Sequence, residues 1–462
     1  MAAGAVRTPR CQAGIVTKET GSSAAPQDVL VLGGGLIGLC SAFALLRAGH
    51  RVTLVDRDRP GSGAARGNAG EITPLTALPL AGPGMMRETV RGVLTRSHFL
   101  SIAPLALPAL TAFGVSFLAH CSPGRLAAGT RALDQLVRGA FSAFDAYRAD
   151  GISLAGGGSG YLYTHRDPAA LAAYRDGMAA RAEHLGLAAP EPILRGGAVQ
   201  EAEPALAASV GASFVAPSER FIDPGILVDE LEARVRAAGA RVIAGAEAVR
   251  VEGTASRRAS GSGPAAVIRT AAGEDRIVAS RIVVACGSRT GEVLRASGVR
   301  VPPRLSVRPG RGYSCTVGAE TLPRALLGSL DRRTVAIPLS GRLRIVGLMD
   351  FDGSHERFDP SRMRQLAARA SGFVRGLDWS DVTEEWVGAR PMTPSGLPIV
   401  SPLPADPRIV VATGHNMHGV SLGPVTGELV AALVEGRPGR IAGADVDMRP
   451  FALRAHTRGE SR

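Results

Sequence analysis

The stretch Asp28–Asp56 reads DVLVLGGGLIGLCSAFALLRAGHRVTLVD, and its pattern of apolar residues and glycines decides the fold. Residues 28–32 form a short apolar run that is typical of a strand buried on both faces. Residues 39–48 have helical apolar spacing and stop at Gly49, which is a signal for a helix C-terminus. Residues 50–56 have the pattern of a second strand that ends in an acid. The sequence therefore predicts a strand, a glycine turn, a helix and a strand within a unit of about 30 residues.

Three glycines and the terminal acid indicate what this turn binds. Gly33 permits the tight turn, Gly35 has no Cβ and lets a pyrophosphate approach the backbone, and Gly38 lets the helix pack on the strand. The helix N-terminus adds free N–H groups and the positive end of its dipole. Asp56 lies 18 residues beyond Gly38, where a carboxylate can accept hydrogen bonds from both ribose hydroxyls. The unit predicts a bound dinucleotide, and the alternative is a glycine-rich turn in another kind of α/β unit.

The rest of the chain favours FAD over NAD as that dinucleotide. After Asp56 the regular βαβ repeats stop, and residues 61–72 form a second glycine-rich loop that precedes a long helical pattern. Apolar strands ending in glycine return only at 282–287 and 409–414. Nucleotide-binding pieces therefore lie near both ends of the chain, with other segments inserted between them. That interleaving is typical of FAD-binding proteins.

The composition indicates a folded and basic protein. The 462 residues include 53 Lys and Arg against 41 Asp and Glu, a net charge of +12, and 45% are hydrophobic, which excludes a disordered chain. The arginines are scattered and only 4% of the residues are aromatic, so we expect no nucleic acid partner. Anionic lipid or an acidic substrate remains compatible with the charge. The five cysteines form no Cys-x-x-Cys motif, which favours free thiols in a reducing compartment and argues against a disulfide framework or a metal site.

Two segments bear on location in the cell. Residues 1–27 lack the apolar core of a signal peptide and are expected to form a flexible tail. Residues 99–119 are 21 residues without a charge, interrupted by Pro104, Pro108 and Gly114. We interpret this apolar segment as a buried pair of helices. The alternatives are a surface patch that contacts lipid and a membrane span.

Seven stretches along the chain carry a family resemblance. They are Val29–Asp56, Gly67–Gly70 with Pro74, Arg220–Gly225, Ile282–Gly287, Arg311–Ser314, Gly388–Pro398 and Thr413–Gly423. In this order they resemble the FAD-dependent amine and amino-acid oxidoreductases, a group that includes D-amino-acid oxidase, glycine oxidase and sarcosine oxidase. Within the group the chain is most similar to the D-amino-acid dehydrogenase branch. The Asn-Ala-Gly loop and the Arg-Pro-Met-Thr-Pro block are much more specific than the glycine fingerprint.

The resemblance implies an α/β fold in which an FAD-binding Rossmann-type domain is interleaved with a smaller mixed-sheet substrate domain. The expected boundaries are residues 28–75, 219–304 and 389–440 for the FAD-binding domain, 76–218 and 305–388 for the substrate domain, and 441–462 for a second tail.

The resemblance also assigns residues to the cofactor. The loop at 68–70 is expected to pass the pyrophosphate and the flavin, Val249 to contact the adenine through its backbone, and the loop at 414–422 to meet the flavin ring. Relatives usually carry a small hydroxyl at the position of Ala65, and here Arg66 follows it. The implied cofactor-binding residues are Gly33, Gly35, Gly38, Asp56, Asn68, Ala69, Gly70, Val249, Ala285, Gly287, Gly414, Gly419, Val420 and Leu422.

Arg390 is the candidate for binding a substrate carboxylate. A guanidinium fork matches a carboxylate with two hydrogen bonds, and the motif around Arg390 matches the carboxylate-binding stretch of the family. The alternative is a structural arginine paired with a buried acid such as Glu384 or Glu385. Tyr313 either caps the site with its hydroxyl or is a core residue.

Two histidines and two cysteines complete the set of candidates. We expect His415 to support the flavin loop through a hydrogen bond, with acid/base catalysis as the alternative. His418 is expected to line the substrate pocket. Cys286 and Cys315 lie in no recognised attachment motif, so we expect FAD to be bound noncovalently.

The function that follows is oxidation of the carbon–nitrogen bond of a D-amino or imino acid to a keto acid and ammonia, by hydride transfer to flavin. We expect electrons to pass to a quinone-type acceptor and the enzyme to be cytoplasmic, with a peripheral contact through 99–119 on the inner face of the membrane. The first alternative is a glycine- or sarcosine-type oxidase that uses oxygen and releases peroxide. The second is a flavin-binding protein with little catalysis, which Ala65 and Arg66 suggest.

Overall fold

The computed structural model describes residues 25–94, 99–253, 263–299, 302 and 306–453. The expected N-terminal tail therefore lies, up to residue 24, outside the described residues. The segment 441–453, which the sequence assigns to a second tail, packs onto the core instead. Its Ile441 and Phe451 side chains are 4% and 0% exposed, because both are large apolar groups that join existing apolar clusters.

The predicted nucleotide-binding unit forms the centre of a six-stranded sheet. Five neighbouring strands of this sheet are parallel, and the edge strand β18 pairs antiparallel with β19. The strand order is β18-β19-β12-β1-β2-β8. The strands are β1 (Asp28–Leu32), β2 (Arg51–Val55), β8 (Arg241–Ile243), β12 (Arg281–Val284), β18 (Ile399–Leu403) and β19 (Asp406–Thr413).

Both faces of this sheet are covered, which explains why its strands are continuously apolar. On one face Val29 and Val31 pack into an apolar cluster with helices α1, α8 and α11, and α4 and α5 extend this layer. On the other face Leu30 and Leu32 pack against a three-stranded sheet and α9. These elements are α1 (Leu36–Arg47), α4 (Pro123–Val137), α5 (Ala140–Ala149), α8 (Pro224–Ala237), α9 (Thr290–Ala296), α11 (Gly419–Val434), β9 (Glu247–Glu252), β10 (Ala265–Thr270) and β11 (Gly273–Val278).

A larger mixed sheet forms the second layer of the molecule. Its main path is β17-β13-β16-β15-β14-β5-β7-β3, with β4 beside β16 and β6 beside β7. Helices α6, α7 and α10 pack around it, and β20 pairs with β21 apart from it. The elements are β3 (Glu71–Ile72), β4 (Leu100–Ile102), β5 (Gly158–His165), β6 (Leu194–Arg195), β7 (Ala212–Phe221), β13 (Arg308–Ala319), β14 (Leu326–Ser329), β15 (Thr334–Leu339), β16 (Arg342–Phe351), β17 (Leu377–Met392), β20 (Arg440–Ile441), β21 (Ala444–Asp445), α6 (Pro168–Leu185), α7 (Gly197–Ala202) and α10 (Pro360–Ser371).

The apolar segment at 99–119 folds as β4 and helix α3 (Leu107–His120), beside helix α2 (Met85–Leu94). Only one side of α3 is buried, where Phe113 packs on Phe351 with ring centroids 6.1 Å apart. The expectation of a buried pair of helices is therefore wrong. The other side of the segment exposes apolar residues, because Leu105 is 97% and Val115 65% exposed.

None of the described helices is by itself both long and apolar enough to cross a bilayer. The two segments Pro104–His120 and Pro123–Ala149 reach the required length and composition only as a pair, and they meet at an angle of 90°.

Candidate active site

The glycine turn lies at the carboxyl end of β1, and two of its glycines are required by close backbone contacts. Gly33 has a φ of +98°, and a Cβ there would lie 2.5 Å from the carbonyl oxygen of Ala285. A Cβ on Gly38 would lie 1.8 Å from the carbonyl oxygen of Gly33. Neither position tolerates a side chain, so these glycines fix the turn and hold α1 against the strand.

The surroundings of Gly35, in contrast, are open. No atom would lie within 4 Å of a Cβ at Gly35, although its φ of −67° suits any residue. Helix α1 begins at the next residue, and no side chain caps its first N–H groups. The open space and the uncapped helix start together form a cradle that fits the diphosphate of FAD.

The Asp56 carboxylate lies at the end of β2, beside this turn. Its oxygens accept hydrogen bonds from the backbone N–H groups of Gly34 and Asp58. Burial raises the pKa of Asp56, and the two backbone hydrogen bonds oppose that shift. The backbone oxygen of Asp56 accepts from Ala246 at 2.9 Å, which brings the start of β9 next to it. Val249 lies there at a bulge between β9 and β10, so its backbone is not in regular register.

The loop 61–70 is held by groups that sequence reasoning did not identify. A Cβ on Gly67 would lie 2.2 Å from the ring of Trp386 on β17, so this ring packs directly on the loop backbone. The Arg344 guanidinium donates to the carbonyl oxygen of Arg66 at 3.1 Å. Arg66 itself forms an ion pair with Asp229 on α8, and its positive charge is therefore already partnered. The second sheet thus positions the loop 61–70, which is expected to contact the cofactor.

The Asn-Ala-Gly segment completes that loop. The Asn68 side-chain oxygen accepts from the N–H of Gly70 at 3.2 Å and closes a short turn. Gly70 has a φ of +69°, and a Cβ there would lie 1.9 Å from the carbonyl oxygen of Ile222. The turn directs Asn68 and Ala69 toward a cavity described below.

The last motif lies at the carboxyl end of β19, where the chain enters α11. Asn416, in a left-handed conformation with φ 52°, accepts from the N–H of Thr393 at 2.9 Å and donates to the carbonyl of Gly414 at 2.7 Å. Thr413 donates to the carbonyl of Gly287 at 2.8 Å. These bonds join the ends of β12, β17 and β19 into one edge. The role of Asn416 was missed, although a non-glycine residue suited to left-handed backbone was a signal.

His415 is fully buried within this loop. Its Nε2 lies 2.9 Å from the hydroxyl of Thr426, and its Nδ1 has no hydrogen-bond partner among the described residues. Burial, together with the neighbouring His418, lowers the pKa of His415 to about 3. A neutral ring with one unused nitrogen is suited to support a ligand by hydrogen bonding and is unsuited to donate a proton at neutral pH.

Helix α11 begins at Gly419, which brings three predicted cofactor residues to its first turn. The Val420 and Leu422 side chains are buried in the apolar cluster around α1, so only their backbone can face a ligand. No side chain caps this helix start. Like the start of α1, it offers free N–H groups.

A cavity of about 510 Å³ lies between this edge and the second sheet. Its volume is in the range of small-molecule sites. Residues of helices α2 and α3 form part of its lining. Residues lining it include Asn68, Ala69, Glu71, Met85, Leu107, Leu110, Phe113, Phe117, Tyr161, Tyr163, Val335, Val346, Leu348, Arg390, Met417, His418 and Ser421.

Arg390 lies at the sheet wall of this cavity. Its Nη1 donates to the carbonyl of Leu348 at 3.3 Å, and it lies across Gly312, where a Cβ would be 2.0 Å from the same nitrogen. Leu348 has a φ of +61°, a strained conformation that turns its carbonyl toward the arginine. Burial lowers the pKa of Arg390 to about 10, and the charge of Glu71 opposes this shift.

The alternative pairing of Arg390 with an acid on its own strand does not match the described contacts. Glu384 accepts hydrogen bonds from Arg344 at 2.9 Å and from Thr316 at 3.0 Å. Glu385 is exposed. Arg390 is therefore available to a ligand in the cavity.

Tyr313 does not cap the cavity, which corrects one of the two sequence-based interpretations. Its hydroxyl donates to Asp350 at 3.1 Å and accepts from Arg311 at 3.2 Å. Side chains alternate along a strand, so Asp350 faces away from its neighbours Met349 and Phe351, which line the cavity. Tyr313 is a core residue of the opposite face.

His418 is the histidine that lines the cavity. Its Nε2 lies 3.0 Å from the carbonyl oxygen of Leu78, and burial lowers its pKa. The hydrogen bond to a carbonyl requires a proton on Nε2, which fixes the tautomer of a neutral ring. His418 is thus placed to shape the pocket.

Glu71 and Tyr161 are cavity residues that sequence reasoning missed. The signal for Glu71 was an acid directly after the Asn-Ala-Gly loop. Burial raises the pKa of Glu71, while a hydrogen bond from Tyr161 and the charge of Arg390 oppose the shift. Among the described lining residues, Glu71 is thus the one acid, it lies within electrostatic reach of the Arg390 guanidinium, and a second guanidinium, Arg333, also lines the cavity.

None of the cysteines in the described part of the chain lines the cavity. Burial raises the pKa of both Cys286 and Cys315 to about 12, and the Cys286 thiol donates to the carbonyl of Leu32. A thiol with this pKa is a poor nucleophile at neutral pH. Within the described ranges there is no cluster of three side chains able to hold a metal ion.

The sequence of the chain is similar to known amino-acid dehydrogenases. It is 32% identical over 450 residues to D-amino acid dehydrogenase 2 of Ralstonia nicotianae, covering 92% of this chain and 99% of that protein. It is 31% identical over 425 residues to D-amino acid dehydrogenase 2 of Pseudomonas aeruginosa, covering 89% and 96% of the two chains.

Solved structures share the fold. Glycine oxidase from Geobacillus kaustophilus superposes with a TM-score of 0.65 at 25% identity, over 93% of this chain and 99% of that one. L-proline dehydrogenase from P. horikoshii superposes with a TM-score of 0.64 at 15% identity, over 95% and 99%. The predicted α/β fold with interleaved Rossmann-type and mixed-sheet parts is confirmed. Residues 28–433 match the family described as FAD dependent oxidoreductase, and the chain belongs to that family as an enzyme that uses FAD.

Proposed function

We propose that this enzyme oxidises the carbon–nitrogen bond of a D-amino or related imino acid to a keto acid and ammonia. The observation that carries the proposal is the Arg390 guanidinium, which lies in a cavity shared with Asn68 and Ala69 and has no described acid as an ion-pair partner. A bidentate cation of this kind suits a substrate carboxylate. The similarity to D-amino acid dehydrogenases supports the same reaction.

The chain's own residues divide the remaining tasks. Gly33, Gly35 and Gly38 would hold the diphosphate of FAD at the start of α1, and Asp56 would accept hydrogen bonds from the ribose. When bound, FAD supplies the two-electron acceptor for the carbon that carries the nitrogen. Arg390 would orient the substrate, while the apolar residues of α2 and α3 that line the cavity would exclude water from it.

The shape of the cavity supports a substrate with a large apolar side chain. Leu107, Leu110, Phe113 and Phe117 on α3 line it with apolar side chains. An apolar wall favours larger apolar side chains, because each methylene group of the substrate that is buried contributes about 0.8 kcal/mol to binding. We expect kcat/KM to be higher for D-phenylalanine, D-leucine or D-methionine than for D-alanine.

We further propose a quinone-type acceptor and a peripheral position on the cytoplasmic face of the inner membrane. The exposed apolar face, defined here as Val90, Leu94, Leu105, Val115 and Leu118, supports this location. Val90 and Leu94 lie on α2 and Val115 and Leu118 on α3, and Leu105 lies in the turn just before α3. The exposed arginines Arg87, Arg91 and Arg125 on α2 and α4 suit anionic lipid.

A second candidate function is a glycine- or sarcosine-type oxidase. The observation that favours it is the superposition with glycine oxidase over nearly the whole chain. An oxidase of this kind would pass its electrons to oxygen and release peroxide. Its substrate would need little of the apolar cavity.

Anaerobic reduction of the flavin tests the proposed function. Purified enzyme with FAD is mixed under nitrogen with D- and L-amino acids, sarcosine and glycine, and the flavin absorbance is recorded. Bleaching by D-amino acids, followed by reduction of a soluble quinone without peroxide, is the expected result. Peroxide release in air at the same rate would select the oxidase. Absence of bleaching across the panel would contradict both and leave the binding-protein alternative.

A further inference from the structure

The cavity contains an acid whose place in the fold is fixed as firmly as that of Arg390. Glu71 directly follows the Asn-Ala-Gly loop and pairs with Phe221 in the second sheet. The hydroxyl of Ser421, in the first turn of α11, donates to the backbone oxygen of Glu71 at 2.8 Å. The same hydroxyl accepts from the N–H of Thr73 at 3.2 Å. Glu71 is thus held between the Asn-Ala-Gly loop and the start of α11, which are both expected to contact the cofactor.

The groups around the Glu71 carboxylate come from four other elements. Tyr161 on β5 forms a hydrogen bond with it, and Arg390 on β17 attracts it electrostatically. Glu219 on β7 and Tyr174 on α6 complete the surroundings of this cluster. The buried Glu219 accepts from the N–H of Leu75 at 3.0 Å with one oxygen, and its other oxygen has no partner among the described residues.

These neighbours act on Glu71 in opposite directions. Burial disfavours the charged carboxylate, whereas Tyr161 and Arg390 favour it, and the pKa of Glu71 is raised overall. The pKa of Glu219 is raised to about 8, and Glu219 is not among the residues that line the cavity, so Glu71 is the acid that a ligand there would meet. A carboxylate with a raised pKa is better matched to take up a proton near neutral pH than an ordinary one.

The substrate of the proposed reaction presents two charges that are one carbon apart. If the guanidinium binds the carboxylate, the ammonium group lies within the same cavity and needs an acceptor. Among the described residues that line the cavity, Glu71 is the only acid. An ammonium group with no acceptor would incur the full cost of burying an unpaired charge.

We propose that Glu71 binds the ammonium group of the substrate and removes one of its protons before oxidation. The N–H bond breaks, its electron pair stays on nitrogen, and the proton moves to a carboxylate oxygen of Glu71. Ammonium and carboxylate thereby become amine and carboxylic acid, so charge and atoms balance. The amine can then stabilise the developing positive charge when the Cα–H bond is broken. This inference rests on the proposed function and assigns the base for it.

The substitution Glu71→Gln tests the proposal because it keeps the size and removes the charge. At pH 7 we expect kcat/KM for a D-amino acid to fall about 100-fold, the usual contribution of a positioned base. The deficit should shrink as the pH approaches the pKa of the substrate's own amine, about 10 for an alkylamine. Glu385→Gln, an exposed acid on the strand of Arg390, serves as the matched control and should behave as wild type.

Binding of benzoate separates a chemical role from a structural one. Benzoate has a carboxylate and no amine, and its binding is read from the perturbation of the flavin absorbance. Glu71→Gln should bind benzoate as tightly as wild type or more tightly, because a negative charge has been removed from the cavity. Parallel loss of benzoate binding would overturn the proposal in favour of a structural role.

Two further outcomes distinguish the inference from the function on which it rests. If D-amino acids bleach the wild-type flavin and the deficit of Glu71→Gln is absent or independent of pH, only the role of Glu71 is overturned. If no D-amino acid bleaches the wild-type flavin, the proposed function fails and this inference fails with it.

Discussion

At the scale of the residue, the site depends on how Arg390 is supported. The guanidinium lies over Gly312, and its Nη1 donates to the carbonyl oxygen of Leu348, whose backbone is strained. Its remaining N–H groups are available to a ligand in the cavity. Burial lowers its pKa only to about 10, so it keeps its charge at neutral pH. A carboxylate in the cavity would therefore bind to a guanidinium that is charged and held in one orientation.

This arrangement predicts that Arg390→Ala raises KM for D-amino acids at least about 100-fold, because a desolvated charge loses its partner. Arg390→Lys should recover part of the loss, since it restores the charge without the fork. FAD content, measured from the absorbance of the purified protein, should not change in either variant. Arg269→Ala, at an exposed position, is the control. Unchanged kinetics in Arg390→Ala would remove this residue from the substrate site.

Gly312→Ala gives an independent check that leaves the arginine in place. The new Cβ would lie 2.0 Å from the Arg390 Nη1, so the side chain must shift. The same rise in KM, without loss of folding, is the expected result. If KM stays at the wild-type value, the present orientation of the guanidinium is not the one that binds substrate.

At the scale of the element, the contact between Gly67 and Trp386 joins the cofactor loop to the second sheet. Gly67→Ala would place a Cβ 2.2 Å from the ring, and relieving that overlap must displace the loop. We expect the dissociation constant of FAD to rise about tenfold, in line with the usual cost of overpacking. Removing the ring in the double variant Gly67→Ala/Trp386→Ala should recover much of the affinity. Equal affinities in the wild type and Gly67→Ala would show that the loop position is irrelevant to FAD.

The exposed apolar face is the second feature that belongs to this scale. Leu105→Glu combined with Val115→Glu should reduce cosedimentation with anionic phospholipid vesicles about tenfold or more, because apolar area and charge both drive such binding. Val278→Glu alters another exposed apolar residue, on β11, and provides the control. Wild-type protein that stays in the supernatant with these vesicles would contradict a lipid contact.

The sequence predicted local elements of the fold well and contacts between distant segments poorly. The strand–glycine–helix unit at 28–56 was readable because its contacts are local and each glycine has a steric reason. Glu71, Trp386 and Asn416 were not, because their importance arises where distant strands meet at one edge. The exposed side of α3 was misread since an apolar run does not say which of its faces is covered.

At the scale of the whole molecule, FAD is expected to contact segments that lie far apart in the sequence. The turn after β1, the loop at 61–70 and the start of α11 lie along one edge, and the second sheet closes it. Binding at such a junction stabilises only the folded chain. FAD at 100 times its dissociation constant should then add about 2.7 kcal/mol to the free energy of unfolding.

Gly35→Ala separates this ligand effect from folding itself. An alanine Cβ at residue 35 would meet no protein atom within 4 Å, and its backbone angle is ordinary, so the protein without FAD should lose no more than about 1 kcal/mol of stability, the cost of alanine at a helix N-cap. The same methyl group would occupy the space expected for the diphosphate. Differential scanning calorimetry with and without FAD should therefore show the stabilisation in wild type and little of it in the variant. A variant stabilised by FAD as much as wild type would mean that the diphosphate does not lie against Gly35.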